Sequence, residues 1–135
     1  MKEITSTQNG YIKQLVQLKD KSRERKKSGL FLIEGEREIT LALKGGYKLD
    51  TILFNPDIIS ETELNKFINK STHQPEIISI SSDVYQKLAY RDTTEGVIAV
   101  AKSKNHNITE LTIKIKNPLI LVAEAPEKPG NIGAI

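Results

Sequence analysis

The stretch LFLIEGEREITLALKGG, residues 30–46, decides the fold class. It begins with Leu30–Ile33, an apolar run with aromatic and β-branched side chains, which predicts a buried strand. From Gly35 onward the apolar residues follow a helical period, and the pattern stops at Gly45 and Gly46, as expected of a helix C-terminus. The stretch therefore predicts a strand that leads directly into a helix.

The same unit of strand and helix recurs along the chain. Further strands are predicted over residues 49–54, 76–80 and 96–101. Further helices are predicted over residues 9–21, 60–70 and 81–89, with the basic run after the first of them following or extending it. Strands that alternate with helices predict an α/β protein in which helices cover a layered sheet.

Composition changes at Lys102. The stretch after it is polar and has no period, whereas Pro118–Ala123 (PLILVA) is strongly apolar and predicts one more strand. A loop with proline and glycine follows, and the sequence ends at Ile135 in the middle of an element. This pattern predicts the start of a second domain that is cut short. The alternative is that the last strand joins the edge of the first sheet and that Ile135 is the natural end.

The composition excludes several kinds of site. The 135 residues include no cysteine and only two histidines, so we expect no disulfide framework, no cysteine nucleophile and no metal site. No apolar run approaches the roughly 20 residues that span a bilayer, and the N-terminus has no hydrophobic signal core. A cytoplasmic protein without a membrane partner is therefore expected. The motifs of a P-loop and of a Rossmann dinucleotide site are also missing.

Positive charge is concentrated in one short run. The chain has 20 Lys and Arg against 17 Asp and Glu, and residues 19–27 (KDKSRERKK) hold six basic and two acidic residues. The candidate phosphate contacts in this run are Arg23, Arg25, Lys26 and Lys27. Each neutralised phosphate would make binding more sensitive to salt; the alternative is a solvated helix end. Without interleaved aromatic residues, the run is expected to position nucleic acid rather than read its bases.

Two polar turns add candidate residues next to predicted strands. Glu34 and Arg37 lie where a strand ends and a helix begins, which is where α/β sheets bind ligands. A structural role is preferred for both, with Glu34 accepting helix N–H groups and Arg37 pairing with an acid. The turn over residues 90–96 suits an RNA backbone or a flipped base, with an ordinary surface loop as the alternative. Its candidate contacts are Arg91, Thr93 and Thr94.

Three segments together carry a resemblance to a known family. They are FLIEGEREITLAL (31–43), TTEGVIAVAK (93–102) and PLILVAEAPEKPGNIGAI (118–135). With the basic N-terminus, they resemble the SpoU (TrmH-like) RNA 2′-O-ribose methyltransferases of the SPOUT class. The resemblance spans essentially the whole chain. Its most specific parts are the Glu34-Gly35-x-Arg37 turn and the block Pro-Gly-Asn-x-Gly-Ala-Ile.

The resemblance implies a fold and a domain organisation. The fold is a three-layer αβα sandwich similar to kink-turn-binding ribosomal proteins, followed by the first strand of a truncated SPOUT domain. Residues 1–102 would form an RNA substrate-binding domain, residues 103–116 a linker, and residues 117–135 the truncated start of the methyltransferase domain. In related enzymes a C-terminal knot binds S-adenosylmethionine. The cofactor is therefore expected in the parent protein and not on this chain.

The resemblance also implies a function. Asn131 matches the asparagine of the family's first catalytic-domain motif, whose arginine would fall two positions beyond Ile135. The chain would be the RNA-binding N-terminal portion of an S-adenosylmethionine-dependent RNA 2′-O-ribose methyltransferase, a transferase, and inert alone. Structured RNA is the expected partner, with rRNA favoured over tRNA, and a dimeric parent and a monomeric fragment are expected. Glu95 stands where many relatives carry glutamine.

Two other functions stay open from the residues alone. The first is a stand-alone RNA-binding module of the same fold without enzymatic activity. The second is a small α/β protein in which the basic run only improves solubility. Salt-dependent RNA binding separates the second from the others.

Overall fold

The computed structural model describes residues 2–68, 74–91 and 95–125, together with Ile132. The contacts divide the chain into two units, Met1–Asn105 and His106–Ile135. The sheet and the helices that cover it belong to the first unit.

The first unit alternates strands and helices, as predicted. Its strands are β1 (Lys2–Ile4), β2 (Leu30–Glu34), β3 (Leu49–Phe54), β4 (Glu76–Ile80) and β5 (Val97–Lys102). Its helices are α1 (Gly10–Asp20), α2 (Ser22–Ser28), α3 (Glu36–Lys44), α4 (Glu61–Ile68) and α5 (Ser82–Leu88). The bounds of β3 and β4 are those predicted from the apolar runs, and the α/β class is confirmed.

The five strands form one sheet in the order β1-β4-β3-β5-β2. Both β1 and β3 run parallel to β4, whereas β5 is antiparallel to its neighbours β3 and β2. The carboxyl ends of β1, β2, β3 and β4 therefore meet at one edge, beside the amino end of β5. We call this the carboxyl edge. Open α/β sheets bind ligands at this place.

Each face of the sheet carries its own apolar core. Helices α1 and α5 cover one face, with Leu15, Tyr85 and Ile98 in its core. Helices α3 and α4 cover the other, with Leu64 and Ala99 in its core. Consecutive residues of β5 alternate between the two cores, as the pleat of a strand requires. This arrangement confirms the predicted three-layer αβα sandwich.

The basic run forms a helix of its own. The chain is extended at Lys21, between α1 and α2, so α2 follows α1 instead of extending it. Helix α2 ends at Ser28, and the next residue, Gly29, has a φ of +67°. Glycine adopts this left-handed conformation without a steric cost, and the turn directs the chain into β2.

Two strands differ from the predictions. The short strand β1 was not predicted, because its three residues contribute one buried side chain, Ile4. The strand predicted over 118–123, the first strand of a SPOUT domain, is not formed. Residues 106–125 contain one 3-10 helix, Ile108–Glu110, and Leu119 is 99% exposed. A strand needs a neighbour for its N–H and C=O groups, and the described residues of this unit offer none.

The first unit extends slightly beyond the predicted boundary at Lys102. Ser103 Oγ donates a 3.0 Å hydrogen bond to the carbonyl of Gly29, and the Lys104 ammonium donates to the carbonyl of Gly45. These contacts fasten the start of the predicted linker to the ends of α2 and α3. The division of the following residues into a linker over 103–116 and a domain start over 117–135 stays a prediction. Among the described residues, no helix has the length and apolar character to cross a membrane.

Candidate nucleic-acid interface

Two carboxylates fasten the turn after α5 to the carboxyl edge. Glu34 is buried, and its Oε2 accepts a 2.7 Å hydrogen bond from the N–H of Tyr90. Glu38 Oε1 accepts a 2.9 Å hydrogen bond from Arg91 Nη2, and this bond holds the pKa of Glu38 below its ordinary value. The side chains of Tyr90 and Arg91 nevertheless remain more than half exposed. Glu34 thus fixes the backbone of the turn and Glu38 holds the guanidinium of Arg91, while the aromatic ring and the guanidinium stay at the surface.

A third carboxylate caps α3. Glu95 Oε2 accepts a 2.6 Å hydrogen bond from the N–H of Glu36, the first residue of the helix, where negative charge is favourable. Gly35 lies beside it with a φ of +100°, and a Cβ there would be 2.7 Å from Glu38 Oε2 and 3.1 Å from Glu95 Oε2. Glycine at this position therefore leaves room for both carboxylates.

The structural roles predicted for Glu34 and Arg37 are filled by other residues. Glu95 accepts the helix N–H group that was assigned to Glu34, because Glu34 is turned toward Tyr90 instead. The arginine that pairs with an acid is Arg91. Arg37 is exposed on α3 and makes no hydrogen bond or ion pair with another described residue.

The basic residues of α2 divide into two kinds. Arg25 is partly buried, and its Nη1 donates hydrogen bonds of 2.7 and 2.9 Å to the carbonyls of Leu18 and Lys19 at the end of α1. These carbonyls have no partner within their own helix, so a cationic donor stabilises them. The exposed residues are Arg23, Lys26 and Lys27, none of them paired with another described residue. Three of the four predicted phosphate contacts are therefore open to a ligand.

Replacing Arg25 with alanine is expected to lower the free energy of unfolding by about 1–2 kcal/mol, because two carbonyls at the end of α1 lose a charged donor. Urea denaturation measures the change. Arg23→Ala is the matched control, and we expect it to stay within about 0.5 kcal/mol of wild type. Equal stability of the two variants would show that Arg25 does not cap α1.

A groove of about 350 Å³ opens at the carboxyl edge, between the end of β3 and α5. Its lining includes Asn55, Ser82, Tyr85, Gln86, Tyr90 and Arg91. Asn55 is fully buried, its Nδ2 donates a 3.0 Å hydrogen bond to Ser82 Oγ, and its Oδ1 accepts a 3.1 Å bond from the N–H of Asp57. Asn55 therefore ties the loop after β3 to the start of α5.

Asn55 is not among the site residues predicted from the sequence. The available signal was Asn-Pro-Asp over residues 55–57, directly after a predicted strand. Asparagine in such turns bonds the backbone two residues further on. The bond to the N–H of Asp57 has this pattern.

Tyr90 connects the groove to the basic run. Lys19 Nζ lies 5.9 Å from the centre of the Tyr90 ring and donates hydrogen bonds to the carbonyls of Lys87 and Ala89 at the end of α5. Partial burial raises the pKa of Tyr90, and the positive charge of Arg25 opposes the rise. Lys19, the first residue of the basic run, therefore lies beside the aromatic rim of the groove.

The remaining predicted residues are not part of this cluster. Arg37 lines a separate groove along α3, together with Glu95. Thr93, Thr94 and Asn131 lie outside the described residues. Where the structure describes side chains, no group of three or more His, Cys, Asp or Glu is placed to hold a metal ion.

Comparisons with known proteins agree with this fold. Residues 9–99 match the family described as the MRM3-like substrate binding domain. The 23S rRNA (uridine(2479)-2′-O)-methyltransferase of Streptomyces viridochromogenes is 27% identical over 137 residues, which cover 99% of this chain and 46% of that protein. The chain thus spans about half the length of this relative.

Solved structures give the same result. A crystal structure of an RNA 2′-O ribose methyltransferase is 36% identical to this chain and has a TM-score of 0.75. The match covers 98% of this chain and 49% of the chain in that crystal structure. The structure of the SpoU methyltransferase AviRb from Streptomyces viridochromogenes in complex with the cofactor AdoMet is 22% identical and shares the fold, with a TM-score of 0.66. The match covers 79% of this chain and 40% of the AviRb chain. These similarities confirm the resemblance to SpoU-class RNA 2′-O-methyltransferases, and the chain belongs to the MRM3-like substrate binding domain family.

Proposed function

We propose that the chain is the RNA-binding N-terminal portion of an S-adenosylmethionine-dependent RNA 2′-O-ribose methyltransferase that acts on structured rRNA in the cytoplasm. The match of residues 9–99 to a substrate binding domain carries this proposal. The relatives are about twice as long as the chain, so we assign methyl transfer to the longer protein. We expect that protein to be a homodimer and the 135-residue chain to be a monomer.

The surface of the first unit supports RNA as the partner. The proposed phosphate contacts are Arg23, Lys26, Lys27, Arg37 and Arg91, with Thr93 and Thr94 in the turn that follows Arg91. We assign positioning roles to two other predicted residues. Arg25 holds α2 on the end of α1, and Glu34 holds the backbone of Tyr90. Phosphate contacts of this kind fix the register of an RNA and make binding dependent on salt.

We place the cofactor and the chemistry in the longer protein. S-adenosylmethionine supplies a methyl group on a sulfonium, and a ribose hydroxyl needs help with deprotonation in a site that excludes water. Every residue from 106 to 125 is exposed, which supports this assignment. Asn131 stays the proposed catalytic residue of the longer protein.

The exposed apolar residues of the second unit favour a longer protein over a stand-alone module. Leu119 is 99% exposed, Val122 is 86% exposed, and Leu121 between them is 67% exposed. Contiguous exposed apolar surface marks a place where another protein surface, a ligand or a membrane binds. Partner strands of a methyltransferase domain would cover this segment.

Binding of the 135-residue chain to a structured rRNA fragment tests the proposal. With the five proposed arginine and lysine contacts on phosphates, the logarithm of the association constant is expected to fall with the logarithm of the salt concentration with a slope of about −4. Binding that is absent, or that does not change with salt, would refute RNA binding. A tRNA competitor of equal affinity would refute the preference for rRNA.

A methyl-transfer assay tests the assignment of the chemistry. The chain is incubated with labelled S-adenosylmethionine and the same rRNA fragment. It is expected to transfer no label, because every described residue of the second unit is exposed to solvent. Transfer above the no-protein background would overturn the proposed inactivity.

A further inference from the structure

Two buried polar atoms lie near each other at the carboxyl edge, one on Tyr85, which lines the groove, and one on Glu34. Tyr85 is 1% exposed, and its hydroxyl makes no hydrogen bond of normal geometry with a described residue, although the N–H groups of Gly96 and Val97 lie near it. Glu34 is 8% exposed; its Oε2 holds Tyr90, whereas its Oε1 is equally without a described partner. Buried polar atoms without partners are uncommon in folded proteins and call for an explanation, such as a ligand that is absent.

The two atoms are complementary in chemistry. Burial and the negative charge of Glu34 raise the pKa of Tyr85 to about 12, against the smaller opposing effect of the Gly96 and Val97 N–H groups. The hydroxyl therefore keeps its proton at neutral pH and is able to donate it, whereas the free carboxylate oxygen of Glu34 accepts. A ligand that carries an acceptor next to a donor would satisfy both.

The groove has the size and rim for a planar ring. Tyr85 contributes to its lining, and its volume of about 350 Å³ lies at the lower end of ordinary small-ligand sites. The Tyr90 ring at the rim is 55% exposed, and such rings serve as stacking platforms for unpaired bases. Arg91 beside it places a guanidinium at the mouth, where the backbone of an RNA would pass.

We propose that this groove binds one unpaired nucleobase of the RNA, stacked on Tyr90 and hydrogen-bonded by the Tyr85 hydroxyl and Glu34 Oε1. Each RNA base presents acceptors next to donors on its Watson–Crick edge, which fits this pair. The inference rests on the proposed function, because the base arrives as part of a bound RNA.

The test compares labelled oligo(A), oligo(C) and oligo(U) of about 12 nucleotides with an abasic strand of equal length. Wild-type chain is expected to bind at least one base-bearing strand more tightly than the abasic strand. Tyr85→Phe is expected to reduce this ratio about fivefold, the effect of one hydrogen bond, and to leave the affinity for the abasic strand unchanged. The Tm of Tyr85→Phe should not fall, because the hydroxyl has no described partner in the free chain.

Two further variants sharpen the test. Tyr11→Phe is the matched control: its hydroxyl donates a 3.0 Å bond to Thr51 Oγ1, so its removal should lower the Tm and leave the base preference intact. Glu34→Gln keeps an oxygen for the N–H of Tyr90 and offers an amide donor in place of the free acceptor. It is therefore expected to change the order of preference among the three base-bearing strands.

The possible failures are distinguishable. Absence of salt-dependent binding to every strand and to structured rRNA would overturn the proposed function. Equal binding of base-bearing and abasic strands by wild type would overturn the base site alone. An unchanged ratio in Tyr85→Phe, or a Tm loss as large as that of Tyr11→Phe, would also overturn it.

Discussion

The variant with Arg23, Lys26 and Lys27 replaced by alanine is expected to bind structured rRNA about 100-fold less tightly than wild type at about 0.1 M salt. Each phosphate contact adds about 0.7–0.9 to the slope of log affinity against log salt. Loss of three contacts should therefore make this slope shallower by about 2–3. Over the tenfold range from about 1 M down to 0.1 M salt, the association constant of the variant then rises by about two orders of magnitude less than that of wild type. Anisotropy titrations at several salt concentrations measure both quantities.

The control for this variant removes the same charge elsewhere. Lys13, Lys48 and Lys66 are also exposed, and their triple replacement with alanine changes the net charge equally. This control is expected to lose less than about tenfold in affinity, because these lysines only contribute to the long-range field. Equal losses in the two variants would show that α2 makes no specific phosphate contacts.

Replacement of Gly96 with alanine is expected to lower the free energy of unfolding by about 3 kcal/mol. The φ of Gly96 is +75°, and an L-residue pays about 1–2 kcal/mol in this region. A Cβ there would also lie 2.7 Å from Ile58 Cβ and 2.8 Å from Ile58 Cγ2, and overpacking of this kind costs about 1–3 kcal/mol. Urea denaturation measures the sum.

Gly29→Ala provides a matched control for the steric part of this effect. Gly29 has a similar φ of +67°, but a Cβ there would meet only Ser103 Oγ, at an ordinary distance of 3.6 Å. Its replacement should cost about 1 kcal/mol, from the backbone alone. If the two variants were equally destabilised, the close approach of Ile58 to Gly96 would not matter for stability. The carbonyl of Gly96 also accepts a 2.8 Å hydrogen bond from the N–H of Asn55, so Gly96→Ala should disturb the groove as well.

Elements with a local signal were predictable from the sequence. Neighbouring residues determine the strand β3, which is an apolar run. They also determine the N-cap of α1, where the Asn9 side chain accepts a hydrogen bond from the N–H of Tyr11. The neighbour with which a strand pairs is not determined by the residues close to it in sequence. Strand β1 forms because β4 offers it a free edge, and the apolar segment 118–123 forms no strand because the described residues place no neighbour beside it.

The candidate site was predictable in its residue types but not in its pairings. Glu34, Arg37 and Arg91 were recognised as polar groups next to strands, yet which acid meets which donor depends on how two turns face each other across the sheet. The contact between Glu34 and the N–H of Tyr90 joins residues that are 56 positions apart. The burial of the Arg25 and Asn55 side chains could not be predicted from the sequence either. Their roles therefore depend on contacts that only the folded structure shows.

The order of the strands has a consequence for how the domain is made. The first three strands in sequence, β1, β2 and β3, are never neighbours in the sheet, because each of them pairs only with β4 or β5. A chain emerging from the ribosome therefore has no ladder to build until Glu76–Ile80 is available, and β2 stays unpaired until Val97–Lys102 follows. Pairings between distant segments form slowly. The basic helix α2 is thus synthesised well before the residues that line the groove, and the carboxyl edge is complete only after β5 has paired.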